Sequence, residues 1–316
     1  MFCRRDKERK LIPSPLSSPP SGGEARVRGI LTIVAAVLFL PSALGAEEGI
    51  SIRIVPNLLS PGEAFLVRVN AGSPVTGMSG EVFGKKLYFM RRGTEYVALS
   101  GVDLFQEPGT YQLRVEAGPE GAVSHEGWVR RIKVARKKFG KEVLYLPERV
   151  FLSDEELKRV AQEKQELDKI WREELPKDLW AGPFVLPVRG SFGSKFGVRR
   201  IINGEPRSPH MGQDIKAPEG TPVAACNAGK VVFTGEQFFS GKSIVIDHGH
   251  GLYSMYFHLS EILVREGDEV GREQVIGKVG ATGRAIGPHL HWGMRLQDMR
   301  VDPMSLLSLP LNEVQR

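Results

Sequence analysis

Two histidine-containing segments form the part of the sequence that could carry out chemistry. GPHLHWG, residues 287–293, places His289 and His291 two residues apart, and HMGQD places His210 four residues before Asp214. In a β-strand alternate side chains point to the same face, so His289 and His291 would share one site. A helical turn, or a tight loop into a strand, would bring His210 and Asp214 to one side. The pattern predicts a site with nitrogen and oxygen donors from both segments.

Such a donor set is typical of a catalytic zinc site, which takes three protein ligands and keeps the fourth position for water. His210, Asp214 and one histidine of the 289/291 pair satisfy that count, and spacing alone does not decide between the two. Zinc lowers the pKa of a bound water from about 15.7 toward about 7 and polarises a carbonyl, so we expect hydrolysis of an amide or ester. A neutral imidazole off the metal, from the pair or from His258, would move protons or stabilise an oxyanion.

The scaffold predicted around these residues is β-structure. From Gly182 to about Leu307 the sequence consists of short apolar runs, such as KVVFTG, KSIVIDHG and LYSMYFHL, separated by glycine-containing turns. No convincing helical pattern interrupts them, which favours an antiparallel, largely all-β domain.

The order of motifs in this region resembles the lysostaphin/LytM-type zinc metalloendopeptidases, which cut peptidoglycan peptides. The matching segments are, in order, SKFGVR, HMGQD, APEGTPVAA, AGKVV, IDHGHG, YFHLSEI, VREGDEVGREQVIGKVGATG and GPHLHWG. One HLH motif alone would be weak, whereas this ordered set covers most of residues 183–307. The resemblance implies a LytM-type antiparallel β peptidase domain.

The resemblance also assigns roles, position by position. It makes His210, Asp214 and His291 the ligands of one zinc ion (Zn2+) per catalytic domain. It makes His258 and His289 the catalytic residues, which act as acid/base or stabilise the transition state.

Three further residues of this region could be mistaken for site residues. His248 and His250 match no functional position of the family, and a turn or surface role is favoured for both. Cys226 lies among small apolar residues in VAACNAG. Buried packing is the favoured role for Cys226, because no partner residue stands at a metal-ligand or nucleophile spacing.

The chain is predicted to be predominantly all-β, with a second β domain before the peptidase. Residues 47–138 contain alternating runs punctuated about every ten residues by turn signals, which predicts a small immunoglobulin-like β-sandwich. Residues 139–182 form a helical linker: a capping box of Ser153 with Glu156 opens a helix predicted to extend to Leu175. The peptidase domain is placed at residues 183–308, followed by a short tail at 309–316.

Residues 1–46 have the pattern of an export leader. Arg26 and Arg28 precede an apolar run, Ile30 to Leu40, and a small-residue stretch, SALGA, follows. This order predicts a secretory signal peptide, or an N-terminal membrane anchor if the leader is not cleaved, after a disordered Pro/Ser/Gly-rich start. We expect an exported protein of the periplasm or cell envelope.

Charge gives no support for nucleic-acid binding. The formal net charge is +6, but residues 1–28 carry seven basic and three acidic side chains, so the leader holds most of the excess. No basic patch interleaved with aromatic residues follows, and we expect no nucleic-acid partner.

These observations together favour an exported zinc endopeptidase that hydrolyses peptide cross-links or stem peptides of peptidoglycan. One alternative is a non-catalytic LytM-like module that binds or activates another cell-wall hydrolase; such modules usually lack ligands, and here the set is complete. Another is a biotinyl- or lipoyl-type carrier, for which the modifiable lysine is absent. The resemblance also raises intramolecular inhibition by the N-terminal region, as preceding segments hold some members of the family latent.

Overall fold

The computed structural model describes residues 50–72, 75, 77–118, 126–145, 152–173 and 175–313. The predicted leader, residues 1–46, lies outside these ranges, so the signal-peptide or anchor interpretation stays a prediction. None of the helices in the described ranges has both the length and the apolar composition needed to span a membrane. The described chain is mostly antiparallel β-structure, as the sequence predicts.

The N-terminal part of the described chain folds as two four-stranded antiparallel sheets. The first has the order β1-β2-β6-β5 and the second β4-β3-β7-β8. Their bounds are β1 Ser51–Val55, β2 Ala64–Asn70, β3 Gly77–Val82, β4 Lys85–Lys86, β5 Phe89–Arg92, β6 Glu95–Gly101, β7 Gly109–Gly118 and β8 Glu126–Val134. Inward-facing residues of both sheets, such as Phe65 and Leu113, share one core. This is the sandwich that the alternating sequence predicts; its boundaries at 47 and 138 stay a prediction.

Strand β2 is buried on both of its faces. Phe65 and Val67 point into the sandwich core, whereas Ala64 and Leu66 belong to the apolar core of the C-terminal sheet. This explains the nearly continuous apolar run AFLV, since alternation is lost when both faces are covered. The first β-sheet therefore packs directly on the C-terminal part of the chain.

Helix α1, Asp154–Ile170, begins at the predicted capping box, in which Ser153 and Glu156 exchange side-chain and backbone hydrogen bonds. The helix ends before Leu175, the predicted end, because the backbone carbonyls near its end form hydrogen bonds with residues of the C-terminal part of the chain. The Tyr253 hydroxyl donates to the Ile170 carbonyl at 3.0 Å, and the Leu175 carbonyl accepts from the His250 N–H at 2.8 Å.

The C-terminal sheet has ten strands, with the main path β10-β13-β20-β17-β16-β15-β18. Strand β14 pairs with β19, β19 also pairs with β17, and β21 pairs with β20. Their bounds are β10 Ser191–Phe192, β13 Gly212–Lys216, β14 Pro222–Ala224, β15 Gly229–Gln237, β16 Gly241–Asp247, β17 Leu252–Ile262, β18 Glu269–Val270, β19 Val275–Val279, β20 Leu290–Leu296 and β21 Met299–Val301.

Three elements of the described chain are absent from the sequence-based prediction: strand β9, a short helix and a 3₁₀ turn. Strand β9, Lys141–Leu144, comes from the predicted helical linker and pairs in parallel with β11, Arg199–Ile202, which also pairs with β12, Glu205–Pro206. A short helix α2, Pro303–Leu307, follows β21, and a 3₁₀ turn spans Leu311–Glu313. Asp302 caps α2 and Pro303 begins it, a start signal that was present in the sequence.

Candidate metal centre

Three side chains of the sequence-predicted site converge on one point. The His210 Nε2 and His291 Nδ1 atoms lie 2.8 Å apart. Each of these nitrogens lies 3.0 Å from Asp214 Oδ1. Asp214 and His291 meet because they are directly opposite each other on the antiparallel strands β13 and β20. His210 precedes β13 in a loop, so the four-residue spacing is that of a loop entering a strand.

The protonation of His210 follows from its partner. Its Nδ1 lies 3.0 Å from the Lys195 backbone carbonyl, an acceptor, so Nδ1 carries the hydrogen in the neutral ring. Nε2 then presents a lone pair toward His291 and Asp214. A carbonyl that fixes the tautomer of a histidine in this way is a common second partner of metal-ligating histidines.

The His291 ring is held in a narrow slot. It stacks on Phe257 with ring centroids 5.4 Å apart and an interplanar angle of 3°. Gly212 lies against the ring: a Cβ there would come within 2.6 Å of His291 Nε2. Burial lowers the pKa of His291 to about 4, an effect that the hydrogen bond with Asp214 only partly offsets, so the imidazole is neutral near pH 7.

Asp214 is the ionised member of the group. Burial opposes its ionisation, but the interactions of the carboxylate with the His210 and His291 rings outweigh burial and hold the pKa of Asp214 well below its usual range. Its other oxygen, Oδ2, lies 3.5 Å from Arg200 Nη2, and Arg200 Nε lies 3.5 Å from Glu142 Oε2. Sequence reasoning missed Arg200 and Glu142, because the parallel pairing of β9 with β11 that brings them together left no signal in the sequence.

The donor set fits a divalent metal ion. Two imidazole nitrogens and a carboxylate oxygen lie within 3.0 Å of one another, so one cation could bind all three atoms. Among the described residues, these three are the ones whose donor atoms could hold a metal together. Two histidines and a carboxylate suit zinc, and a set of three leaves a fourth position open.

The two remaining candidates, His258 and His289, lie beside this centre with their rings 4.8 Å apart. His258 Nδ1 donates to the Thr282 carbonyl at 2.9 Å, and His289 Nδ1 donates to the Gly287 carbonyl at 2.8 Å. In both neutral rings Nε2 is therefore the unprotonated nitrogen, and His289 Nε2 lies 3.8 Å from Asp214 Oδ1. Burial lowers the pKa of His258 to about 4.

His258 occupies an irregular position in β17. Its φ of 64° is in the left-handed region, and its backbone N–H leaves the sheet to donate to the Ser240 carbonyl at 2.8 Å. A non-glycine residue in this conformation is strained and persists only where its surroundings hold it there. The segment around Ser240 thus fixes the His258 backbone.

The histidines without a family role lie elsewhere. His248 is fully buried, so the surface role favoured for it is wrong: Nδ1 donates to the Ala228 carbonyl and Nε2 accepts from Ser254. His250 sits in a turn with φ 49°, as expected, and stacks on Tyr88. Cys226 is buried, as expected, and burial raises the pKa of its thiol to about 11.

Comparison with known proteins identifies the family to which this site is similar. The family model described as peptidase family M23 matches residues 208–303, which include all five candidate site residues. Among curated proteins, the peptidoglycan DD-endopeptidase ShyA of Vibrio cholerae is 42% identical over 112 residues, covering 35% of this chain and 26% of ShyA. The DD-carboxypeptidase/endopeptidase Mpg of Neisseria meningitidis is 43% identical over 105 residues, covering 33% of this chain and 24% of Mpg. The matched segment thus spans about a quarter of these relatives.

A solved structure extends the likeness to most of the chain. The crystal structure of a Pseudomonas aeruginosa protein assigned to peptidase M23 aligns with a TM-score of 0.62 at 35% identity. The alignment covers 79% of this chain and 96% of that protein, so it includes residues well outside the 208–303 segment. With this coverage and identity, and with the family model falling on the segment that holds the converging histidines and aspartate, the chain belongs to peptidase family M23.

Proposed function

We propose that this protein is an exported zinc endopeptidase that hydrolyses peptide cross-links or stem peptides of peptidoglycan. The observation that carries the proposal is the convergence of His210, Asp214 and His291 within 3.0 Å, next to two further histidines, His258 and His289. The relative ShyA is named a peptidoglycan DD-endopeptidase, which supports a peptidoglycan substrate, and the name of Mpg supports an endopeptidase activity. Export is supported by the leader pattern and by the location of such a substrate outside the cytoplasm.

His210 Nε2, His291 Nδ1 and Asp214 Oδ1 would hold the zinc ion. Bound there, zinc supplies a Lewis acid that lowers the pKa of a water ligand and polarises the scissile carbonyl. Arg200, through Asp214 Oδ2, keeps that carboxylate turned so that Oδ1 faces the two histidines.

His289 and His258 handle the protons. Because each ring donates Nδ1–H to a backbone carbonyl, each offers Nε2 as a proton acceptor in its neutral form. One of them takes the proton of the attacking water at Nε2 and delivers it to the leaving amine. The imidazolium formed in between carries an Nε2–H that can donate to the developing oxyanion.

The alternative function, a non-catalytic module that binds or activates another hydrolase, needs neither ligands nor proton-transfer groups. Its sequence would be free to lose Gly212, which leaves room for the His291 ring, or a residue of the His210, Asp214 and His291 set, yet all of these are in place. We therefore favour the enzyme.

The test is digestion of purified peptidoglycan by the full chain, by the chelator-treated protein and by the His289→Ala variant, with products identified by mass spectrometry. We expect cleaved peptides only from the untreated wild-type protein, with activity restored to the chelated sample by zinc. Equal release by all three proteins, or release by none of them, contradicts the proposal.

A further inference from the structure

A basic cleft of about 720 Å³ opens where three parts of the chain meet. The three parts are the segment Gly84–Tyr88, the C-terminal half of α1, and the hairpin of β20 and β21. Six cationic side chains and two carboxylates line it: Lys85, Lys86, Lys164, Arg172, Arg295 and Arg300, with Asp168 and Asp298.

The charges in the cleft are not balanced. Asp168 pairs with Lys164 and Asp298 pairs with Arg295, so both carboxylates of the lining are already neutralised. Arg300 pairs with Asp103, outside the cleft, at 3.1 Å. In the described part of the chain, the three remaining cations form no ion pair: Lys85, Lys86 and Arg172. Such a concentration of one sign of charge attracts anions.

The inner wall of the cleft also carries unsatisfied polar atoms. Among the described residues, Arg295 Nε and Gln297 Oε1 are buried without a hydrogen-bond partner. Leaving a buried polar atom without a partner is unfavourable. The Arg295 guanidinium lies over the Trp171 ring at 4.8 Å from its centroid, which fixes its plane at the back of the cleft. Asp298 already pairs with Nη2 of this guanidinium, so a carboxylate entering here would share Arg295 with Asp298.

The cleft and the metal centre share one face of one strand. His291 and Arg295 are four residues apart on β20, so they point to the same side. Their partners on β17, Phe257 and Tyr253, lie directly opposite them. At about 3.3 Å per strand residue the two positions are about 13 Å apart, which an extended peptide of about four residues spans.

We propose that this cleft binds a free carboxylate of the substrate peptide, about four residues from the bond that is cut. The inference rests on the proposed function, because stem peptides of peptidoglycan carry free carboxylates. Lys86 and Arg172 at the mouth attract the group, and Arg295 receives it at the back. The cleft thus selects substrates by charge at a distance from the metal.

The experiment uses two synthetic cross-linked peptides that differ only in whether their free carboxylates are amidated. The full-length wild type is compared with Lys86→Glu/Arg172→Glu and with Arg131→Glu/Lys133→Glu, which makes the same charge change on exposed positions of β8. We expect KM for the free-carboxylate peptide to rise tenfold or more in the cleft variant, with kcat changed less than twofold, and to stay unchanged in the control.

The amidated peptide provides the second comparison of the experiment. The amidated peptide should show the raised KM with all three proteins, and Lys86→Arg/Arg172→Lys should retain the wild-type KM for the free-carboxylate peptide. Equal KM values for the cleft variant and the β8 control, or no effect of amidation on the wild type, would overturn the inference.

A binding assay that needs no catalysis distinguishes failure of the proposed function from failure of the cleft inference. Zinc-free proteins are sedimented with insoluble peptidoglycan at low and high salt. If the wild type and the β8 control sediment at low salt but the cleft variant does not, the carboxylate site stands even if no protein cuts a bond. If all three sediment equally while the wild type cleaves its substrate, the proposed function stands and the cleft inference is wrong.

Discussion

The carboxylate of Glu163, on α1, accepts the backbone N–H of Phe238 with its two oxygens at 2.9 and 3.0 Å. Two residues further on, the Ser240 carbonyl accepts the N–H of His258. The helix before the peptidase sheet is thereby connected, through one short segment, to the backbone of a candidate catalytic histidine.

We expect Glu163→Ala to lower kcat about tenfold or more, because releasing the Phe238 segment lets His258 shift from its productive position. Glu166→Ala, an exposed change on the same helix, is the control and should have no effect. Steady-state kinetics on a cross-linked peptide measures both. A rise in kcat on Glu163→Ala would instead support the intramolecular inhibition raised by the family resemblance, which stays a prediction.

The metal content of two variants tests the different roles proposed for the histidines of GPHLHWG, His291 as a zinc ligand and His289 as a proton-transfer residue. His291→Ala removes a nitrogen from the metal centre, so the purified variant should lack zinc. His289→Ala leaves all three donors in place and should keep about one zinc per chain while kcat falls about 10²–10⁴-fold. Metal analysis together with kinetics separates these outcomes; full zinc occupancy of His291→Ala would contradict the ligand assignment.

Arg200 should affect metal affinity without being a ligand. It orients Asp214 through Oδ2, and loss of such an outer partner typically weakens metal binding about 10–100-fold. We expect Arg200→Met to bind zinc at least about tenfold more weakly in competition with a chromophoric chelator. Arg207→Met, an exposed change nearby, should match the wild type. Tighter binding by Arg200→Met would mean that repulsion between the guanidinium and the metal outweighs orientation.

Buried His248 should make the fold sensitive to acid. Burial lowers its pKa from 6.5 to about 4, so between these values the unfolded chain binds a proton that the native chain does not. The contribution of His248 to stability is complete above pH 6.5 and declines as the pH falls toward 4, by about 3 kcal/mol in all.

The check is urea unfolding of the wild type and of His248→Asn at pH 7.5, 6, 5 and 4. The asparagine amide can still donate to the Ala228 carbonyl but does not titrate, so the variant should lose less stability than the wild type over this range. Parallel profiles for the two proteins would show that His248 does not contribute.

The parts of the site that the sequence predicted are those set by local spacing. His289 and His291 share a side because they flank Leu290 in an extended segment, and the loop before β13 brings His210 to Asp214. Choosing His291 over His289 as the ligand required the family resemblance, since both lie on that side.

The features that the sequence did not predict depend on contacts between segments that are far apart in the sequence. Glu142 reaches Arg200 only because β9 adds to β11 from a segment predicted to be a linker. The burial of His248 could not be read from IDHGHG, where it stands directly before a glycine-containing turn. Hydrophobic patterning locates strands in the sequence, but it does not determine which two strands will pair with each other.

The burial of β2 on both faces determines how this protein can be divided for study. A peptidase fragment cut at Gly182 would lose Ala64, Leu66 and Val97 from its own core and expose the apolar surface they cover. Such a fragment would tend to aggregate, and low activity in it would report damage rather than regulation. The sandwich and the C-terminal sheet should melt in a single calorimetric transition, so the smallest stable version of this protein includes both.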